Sequence, residues 1–146
     1  MYLLDTNIVS EMRRLETGKA NAGVERWADT VTSEEMFVSV VTMYELKIGV
    51  LRLMPRDLQQ ATVLEDWLHR QVLPTFSLRT LKIDTEIMLR CAELHVPKTR
   101  SYRDSLIAAT ALVHRLTVVT RNEKDFVPMG VRVLNPWSSA PTVGGG

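Results

Sequence analysis

Met1-Tyr2-Leu3-Leu4-Asp5-Thr6-Asn7, the amino-terminal heptapeptide, reads as a strand that ends at an acid. Its apolar run has the length of a short buried strand, and it halts at a carboxylate followed by two residue types that favour helix starts. Asp5 is thereby placed at the carboxyl end of a strand. In an open α/β sheet that edge is where ligands and catalytic groups gather. The question for the remaining sequence is whether other acids return to the same edge.

Outward from this segment, apolar strand-like runs alternate with helical patterns. Thr6 to Arg14 reads as a helix, 18–23 as a polar loop, and Val24, Trp27 and Ala28 as a short amphipathic turn. Met36 to Val41, rich in β-branched and aromatic residues, reads as a second strand, after which Thr42 opens a helix ended by Pro55. Asp57 is an N-cap candidate for a further helix with Leu58, Ala61, Leu64, Leu68 and Val72 at helical spacing, closed by Pro74. The 43–72 segment then forms a helical hairpin whose outer apolar face suits a partner. Leu81 to Ile83 is a brief strand, and Asp84 caps a helix through Ile87, Met88, Cys91 and Leu94. After a basic loop from Pro97 to Arg103, residues Asp104 to Leu116 are apolar around most of a helical circumference, as in a helix buried between layers. Thr117 to Thr120 is a third clear strand, 121–125 a polar turn and Val131 to Leu134 a last strand. This alternation implies a mostly parallel sheet covered on both faces, with right-handed crossovers bringing the strand ends to one rim.

The chain has 146 residues, 45% of them hydrophobic, and a net charge of +1. Such a chain supports a single domain, expected over 1–137, followed by a flexible Gly-rich tail over 138–146. Near-balanced charge excludes an overall basic field for holding a polyanion non-specifically. Cys91 is the sole cysteine, so there is no intrachain disulfide, and it falls in an apolar helical pattern as a core residue. His69, His95 and His114 are scattered and form no zinc motif. Trp27, Trp67 and Trp137 are expected as core or interface anchors. With no membrane-length apolar run and no signal-peptide pattern, the cytoplasm is the expected compartment and no membrane contact is expected.

Four acidic or amide positions fall on the expected rim: Asp5, Glu45, Asp104 and the Asn122 to Asp125 turn. Carboxylates gathered about 4 Å apart repel by about 4 kcal/mol at an effective dielectric near 20, unless a cation stands between them. An all-oxygen site selects magnesium or manganese. Each acid also has a local explanation. Thr42-x-x-Glu45 and Ser101-x-x-Asp104 both fit capping boxes, and Asp125 fits a turn.

Together, Leu3-Leu4-Asp5-Thr6-Asn7, Thr42-x-x-Glu45-Leu-x-x-Gly49, Asp104-Ser-Leu-Ile-Ala-Ala-Thr-Ala and Thr120-Arg-Asn-x-x-Asp-Phe126 resemble the PIN-domain ribonucleases. More narrowly, the chain resembles the VapC or FitB type of toxin from type II toxin–antitoxin pairs, and Asn135-Pro136-Trp137 is similar to the FitB-like branch. The resemblance spans about residues 1–137. It implies a three-layer α/β/α sandwich and a Mg2+-dependent endoribonuclease, with Mn2+ as a possible substitute. Asp5 and Asp104 are then the expected direct metal ligands, and Glu45 completes the acidic cluster. Asn122 departs from the pattern, because many relatives carry Asp there; Asp125 lies three residues on, and whether one ion or two binds stays open.

On this expectation Thr6, Asn7 and Thr120, with Asn122 and Asp125, orient the carboxylates. Arg100, Arg103 and Arg121 are candidates for RNA phosphates, beside Arg13, Arg14, Lys98 and Lys124. Expected partners are RNA, a cognate antitoxin whose helix fits a groove on the 43–72 hairpin, and DNA only through that antitoxin. A homodimer or a toxin–antitoxin hetero-oligomer is the implied assembly. The alternative is a binding module that acts mainly by complex formation, with little or no nuclease activity. A haloacid-dehalogenase-type phosphatase would need an Asp two residues after Asp5, where Asn7 stands.

Overall fold

The structure is a computed structural model that describes residues 1–138, so the expected tail lies, but for Ser138, outside the described residues. Five parallel strands form the central sheet: β1 (Tyr2–Leu4), β2 (Met36–Ser39), β3 (Thr80–Leu81), β4 (Thr117–Val119) and β5 (Val133–Leu134), in the spatial order β3-β2-β1-β4-β5. The central β1 pairs with β2 (Leu3 beside Phe37) and with β4 (Leu4 beside Val119). Its alternating side chains supply both faces. Leu4 enters a core with Ile8, Val38 and Val119, while Leu3 enters another with Ile107, Ala108, Val118 and Phe126. Two cores on opposite sides of one sheet make the three-layer α/β/α sandwich.

The helices are α1 (Thr6–Met12), α2 (Ala22–Ala28), α3 (Val40–Leu53), α4 (Leu58–Trp67), α5 (Leu73–Thr75), α6 (Thr85–Leu94), α7 (Tyr102–His114) and α8 (Glu123–Phe126). Helix α7 meets the sheet through the buried Ala108 and Ala111, and α6 covers its outer side, where Ile87 and Cys91 pack on Ala109. Asp57 and Asp84 act as caps: their carboxylates accept from Gln60 N (3.1 Å) and Ile87 N (2.9 Å). Trp27 packs edge-on to Tyr2, with ring centroids 5.5 Å apart.

Boundaries differ from the sequence reading at several points: β3 covers Thr80–Leu81 rather than Leu81 to Ile83, β5 only Val133–Leu134, and α8 stands where a polar turn over 121–125 was expected. Strand β2 stops at Ser39, whose hydroxyl accepts from Val41 N at 3.0 Å, so Val40 and Val41 form the first turn of α3. The β-branched pair carries only a weak strand propensity, and the buried cap overrides it. Pro74 does not close the α4 segment. A π-turn over Leu68–Val72 has already replaced the α-helical ladder there, and Pro74 sits in the short α5 beyond it. Finally α7 begins at Tyr102, which takes Arg103 out of the expected loop and into a helical first turn.

Candidate active site at the carboxyl edge of the sheet

Asp5 leaves β1 fully buried, and its carboxylate is held on every side. One oxygen, Oδ1, accepts from Thr6 N at 2.7 Å and from Arg103 Nη2 at 2.5 Å. The other, Oδ2, accepts from Thr120 Oγ1 at 2.8 Å and from Asn7 Nδ2 at 3.4 Å. Thr120, at the end of β4, is a hub. Its hydroxyl oxygen also accepts from Asn122 N (3.0 Å) and Asn7 Nδ2 (3.3 Å). Asn7 in turn accepts Arg121 N through Oδ1 at 3.3 Å. A buried carboxylate with this many donors is oriented before anything binds to it.

Glu45 reaches the same place from the second turn of α3. Its Oε1 accepts from Thr6 Oγ1 at 2.5 Å, and the buried Thr42 hydroxyl lies 3.4 Å from that of Thr6. Because Ser39 caps α3, Glu45 has no capping duty. Asp104 comes from the first turn of α7, where Ser101 makes no side-chain cap. Neither capping-box reading holds, so both acids are left for another role.

That role centres on Arg103. Its guanidinium gives Nη2 to Asp5 Oδ1, Nε to Glu45 Oε2 and Nη1 to Asp104 Oδ1. Three acids from three elements thus share one monovalent cation, which leaves the four side chains at a net −2. Burial opposes the Arg103 charge, but hydrogen bonding to Glu45 and the field of Asp5 outweigh it and hold the group protonated more firmly than usual. Asp104 is pushed the other way. Burial raises its carboxyl above the ordinary range against the pull of Arg103, and the charges of Asp125 and Asp5 add to that rise.

The fourth position is looser. Asn122 contributes its backbone N–H to Thr120 and caps nothing with its side chain, and the exposed Asp125 acts on Asp104 through its charge. Among the described residues, no three His, Cys, Asp or Glu side chains are arranged as they stand to share an ion. The donor set still suits a hard divalent cation, since three carboxylates from β1, α3 and α7 converge on one cationic group. An ion shared by all three would need the place that the guanidinium fills.

The basic candidates separate. Arg100 turns away to Leu94 O at 2.9 Å, and Arg121 lies over the Trp137 ring, 5.7 Å from its centroid. Arg13, Arg14 and Arg121 line an open cleft of about 500 Å3 that also touches Thr6, Asn7 and Glu45. Lys98 and Lys124 are exposed. His69 is engaged by Glu65 (2.8 Å) and His95 by Ser105 (2.7 Å), away from the acids. Sequence reasoning missed the bridging position of Arg103 and the place of Thr42 behind Thr6. The available signal was an arginine directly before an acid in a helical first turn, where a basic residue opposes the helix dipole and so needs a partner.

Comparisons with known proteins bear on the family and the fold. A family model described as PIN domain matches residues 2–129. The Toxin FitB of Neisseria gonorrhoeae is 36% identical over 142 residues, covering 94% of this chain and 99% of that protein. The VapC ribonuclease Y4jK of Sinorhizobium fredii is 33% identical over 145 residues, covering 96% and 100%. A solved structure of FitAB bound to an IR36 DNA fragment matches with a TM-score of 0.84 at 32% identity, covering 97% of this chain and 99% of that one. With the fold, the order of the motifs and full-length relatives in agreement, this chain belongs to the PIN-domain family, in the branch of the VapC and FitB toxins.

Proposed function

We propose that this chain is a Mg2+-dependent endoribonuclease that serves as the toxin of a type II toxin–antitoxin pair. The observation that carries the reading is the convergence of Asp5, Glu45 and Asp104 on a single cation at the carboxyl edge of the sheet. The ribonuclease name of the Sinorhizobium relative supports the activity. Asp5 and Asp104 would hold the ion directly, with Glu45 holding it or orienting water. When bound, the ion supplies a more acidic water and a polarised phosphate. Thr120 and Asn7 orient the Asp5 carboxylate, and Thr6 orients that of Glu45. Arg13, Arg14 and Arg121 flank the acids along the cleft and suit RNA phosphates on either side of the cut.

The FitAB–DNA likeness supports an antitoxin partner and contact with DNA through it, in a hetero-oligomer. The exposed apolar residues Leu51, Met54, Leu58 and Val63 on the α3–α4 hairpin suit such a partner. No described helix is long and apolar enough to cross a membrane. A second reading, a binding module with little nuclease activity, draws on one observation: a guanidinium already fills the centre of the acid cluster.

The test is cleavage of a structured RNA by rigorously purified protein with and without Mg2+. Asp5→Asn and Asp104→Asn should each abolish Mg2+-dependent cleavage while the circular dichroism spectrum stays native. Cleavage that survives in either variant removes the carboxylate mechanism. A wild type that binds no divalent ion and cuts no RNA leaves the binding module.

A further inference from the structure

Asp5, Glu45 and Asp104 offer six carboxylate oxygens, and the surrounding protein divides them unequally. Asp5 Oδ2 is committed to Thr120 and Asn7, and Glu45 Oε1 to Thr6. Asp5 Oδ1, Glu45 Oε2 and Asp104 Oδ1 are the oxygens that face one another, and Arg103 holds all three with three different nitrogens. An ion held by Asp5 and Glu45 at the centre of the cluster would need the two oxygens that Arg103 already holds. Two cations cannot occupy that centre together.

Arg103 also has somewhere to go. Its side chain is 29% exposed, unlike the fully buried Asp5. Arg103 and Glu45 also line a largely apolar cleft of about 390 Å3, with Val40, Val41, Tyr44, Leu106 and Tyr102, whose ring packs on His95 at 4.9 Å between centroids. The two tyrosines are 67% and 69% exposed. An arginine stem lies well on such a surface, and its guanidinium gains from an aromatic face within about 6 Å.

We infer that Arg103 is a built-in occupant of the cation site, and that a divalent ion enters only by displacing its guanidinium from Asp5, Glu45 and Asp104 into the Tyr44–Tyr102 cleft. The inference rests on the metal-dependent reading above and adds a gate to it. In the metal-free protein Arg103 offsets the mutual repulsion of three acids and keeps them in place. On metal entry a divalent charge replaces a monovalent one against the same three carboxylates. The displaced guanidinium stays at the rim, where an RNA phosphate can meet it. The intrinsic affinity for metal is therefore lowered by the work of displacing Arg103.

The experiment uses the full chain stripped of metal. Mn2+ binding is measured by calorimetry and by electron paramagnetic resonance for the wild type, Arg103→Ala and Asp5→Asn. Arg103→Ala should bind Mn2+ at least about tenfold more tightly than the wild type, equivalent to about 1.4 kcal/mol. Its metal-free form should melt lower and gain more from added Mn2+ than the wild type gains. Equal or weaker binding by Arg103→Ala overturns the gate and leaves the metal reading standing. Absence of binding by both wild type and Arg103→Ala removes the metal reading itself, and the gate with it.

A second measurement needs no variant to fold. The arginine Nε–H resonance of Arg103 in 15N-labelled wild type should be protected without metal and lose that protection as Mg2+ saturates the site, followed by the Asp5 and Asp104 amides. An unchanged Arg103 signal at saturation overturns the inference.

Discussion

Thr120→Val changes the site while keeping the shape of the side chain. Thr120 is fully buried, and its hydroxyl donates to Asp5 Oδ2 at 2.8 Å while accepting from Asn122 N and Asn7 Nδ2. A hydrogen bond to a charged group contributes about 1.5–3 kcal/mol, and a neutral one about 0.5–1.5 kcal/mol. The Asn122 and Asn7 donors lie nearer the surface, where water can replace part of what they lose. The charge-assisted bond to buried Asp5 cannot be replaced as readily, because only the longer 3.4 Å contact with Asn7 then remains on Oδ2. The expected cost is about 2–4 kcal/mol. In a chain of this size that corresponds to roughly 5–15 °C in Tm. Urea unfolding of the metal-free protein measures it, with an unchanged slope showing that the denatured state is not the cause. Repeating the substitution in an Asp5→Asn background isolates the pair, and the coupling should exceed about 0.5 kcal/mol. A loss below about 1 kcal/mol, or the same loss in both backgrounds, refutes Thr120 as the support of Asp5.

Two further expectations concern stability away from the acids. Gly23→Ala places a Cβ 2.1 Å from the carbonyl oxygen of Pro136, which is backbone and cannot swing aside, so α2 or the 135–137 segment must shift. A loss of about 1–3 kcal/mol is expected, and a Tm within 1–2 °C of the wild type would show that this approach is not tight in solution. Glu65 joins α4 to α3, and hydrogen bonding to Lys47 (2.5 Å), assisted by His69, holds its carboxyl below the ordinary value of 4.5. The stability it adds is present above the unfolded value and lost as pH falls through the lowered folded one. The gap in urea midpoint between wild type and Glu65→Gln should therefore shrink from pH 6 to pH 3; an equal gap at both ends argues against the linkage.

The site also explains how local chemistry can mislead. Thr42-x-x-Glu45 has the letters of a capping box, yet the cap lies three residues earlier, because Ser39 at the buried end of β2 supplies the acceptor first. The shift moves Glu45 from the first turn into the second, where it meets Thr6 instead of the helix amides. Arg103 looked like a loop cation available to RNA. One extra half-turn of α7 carries it into the acid cluster instead.

The alternation of strands and helices, the strand-end position of Asp5 and the caps at Asp57 and Asp84 are determined by the sequence alone, since periodicity and capping act within a few residues of chain. The end of β2, the fate of Pro74 and the partner of Arg103 were decided by the tertiary structure. The contacts that settle the site join residues 39, 98 and 115 positions apart, as in Thr6–Glu45, Asp5–Arg103 and Asp5–Thr120. Local propensities are worth less than about 1 kcal/mol each, whereas a hydrogen bond to a buried carboxylate is worth about 1.5–3 kcal/mol. Where the two compete, the carboxylate prevails, and only the crossovers of the parallel sheet determine which residues can reach it.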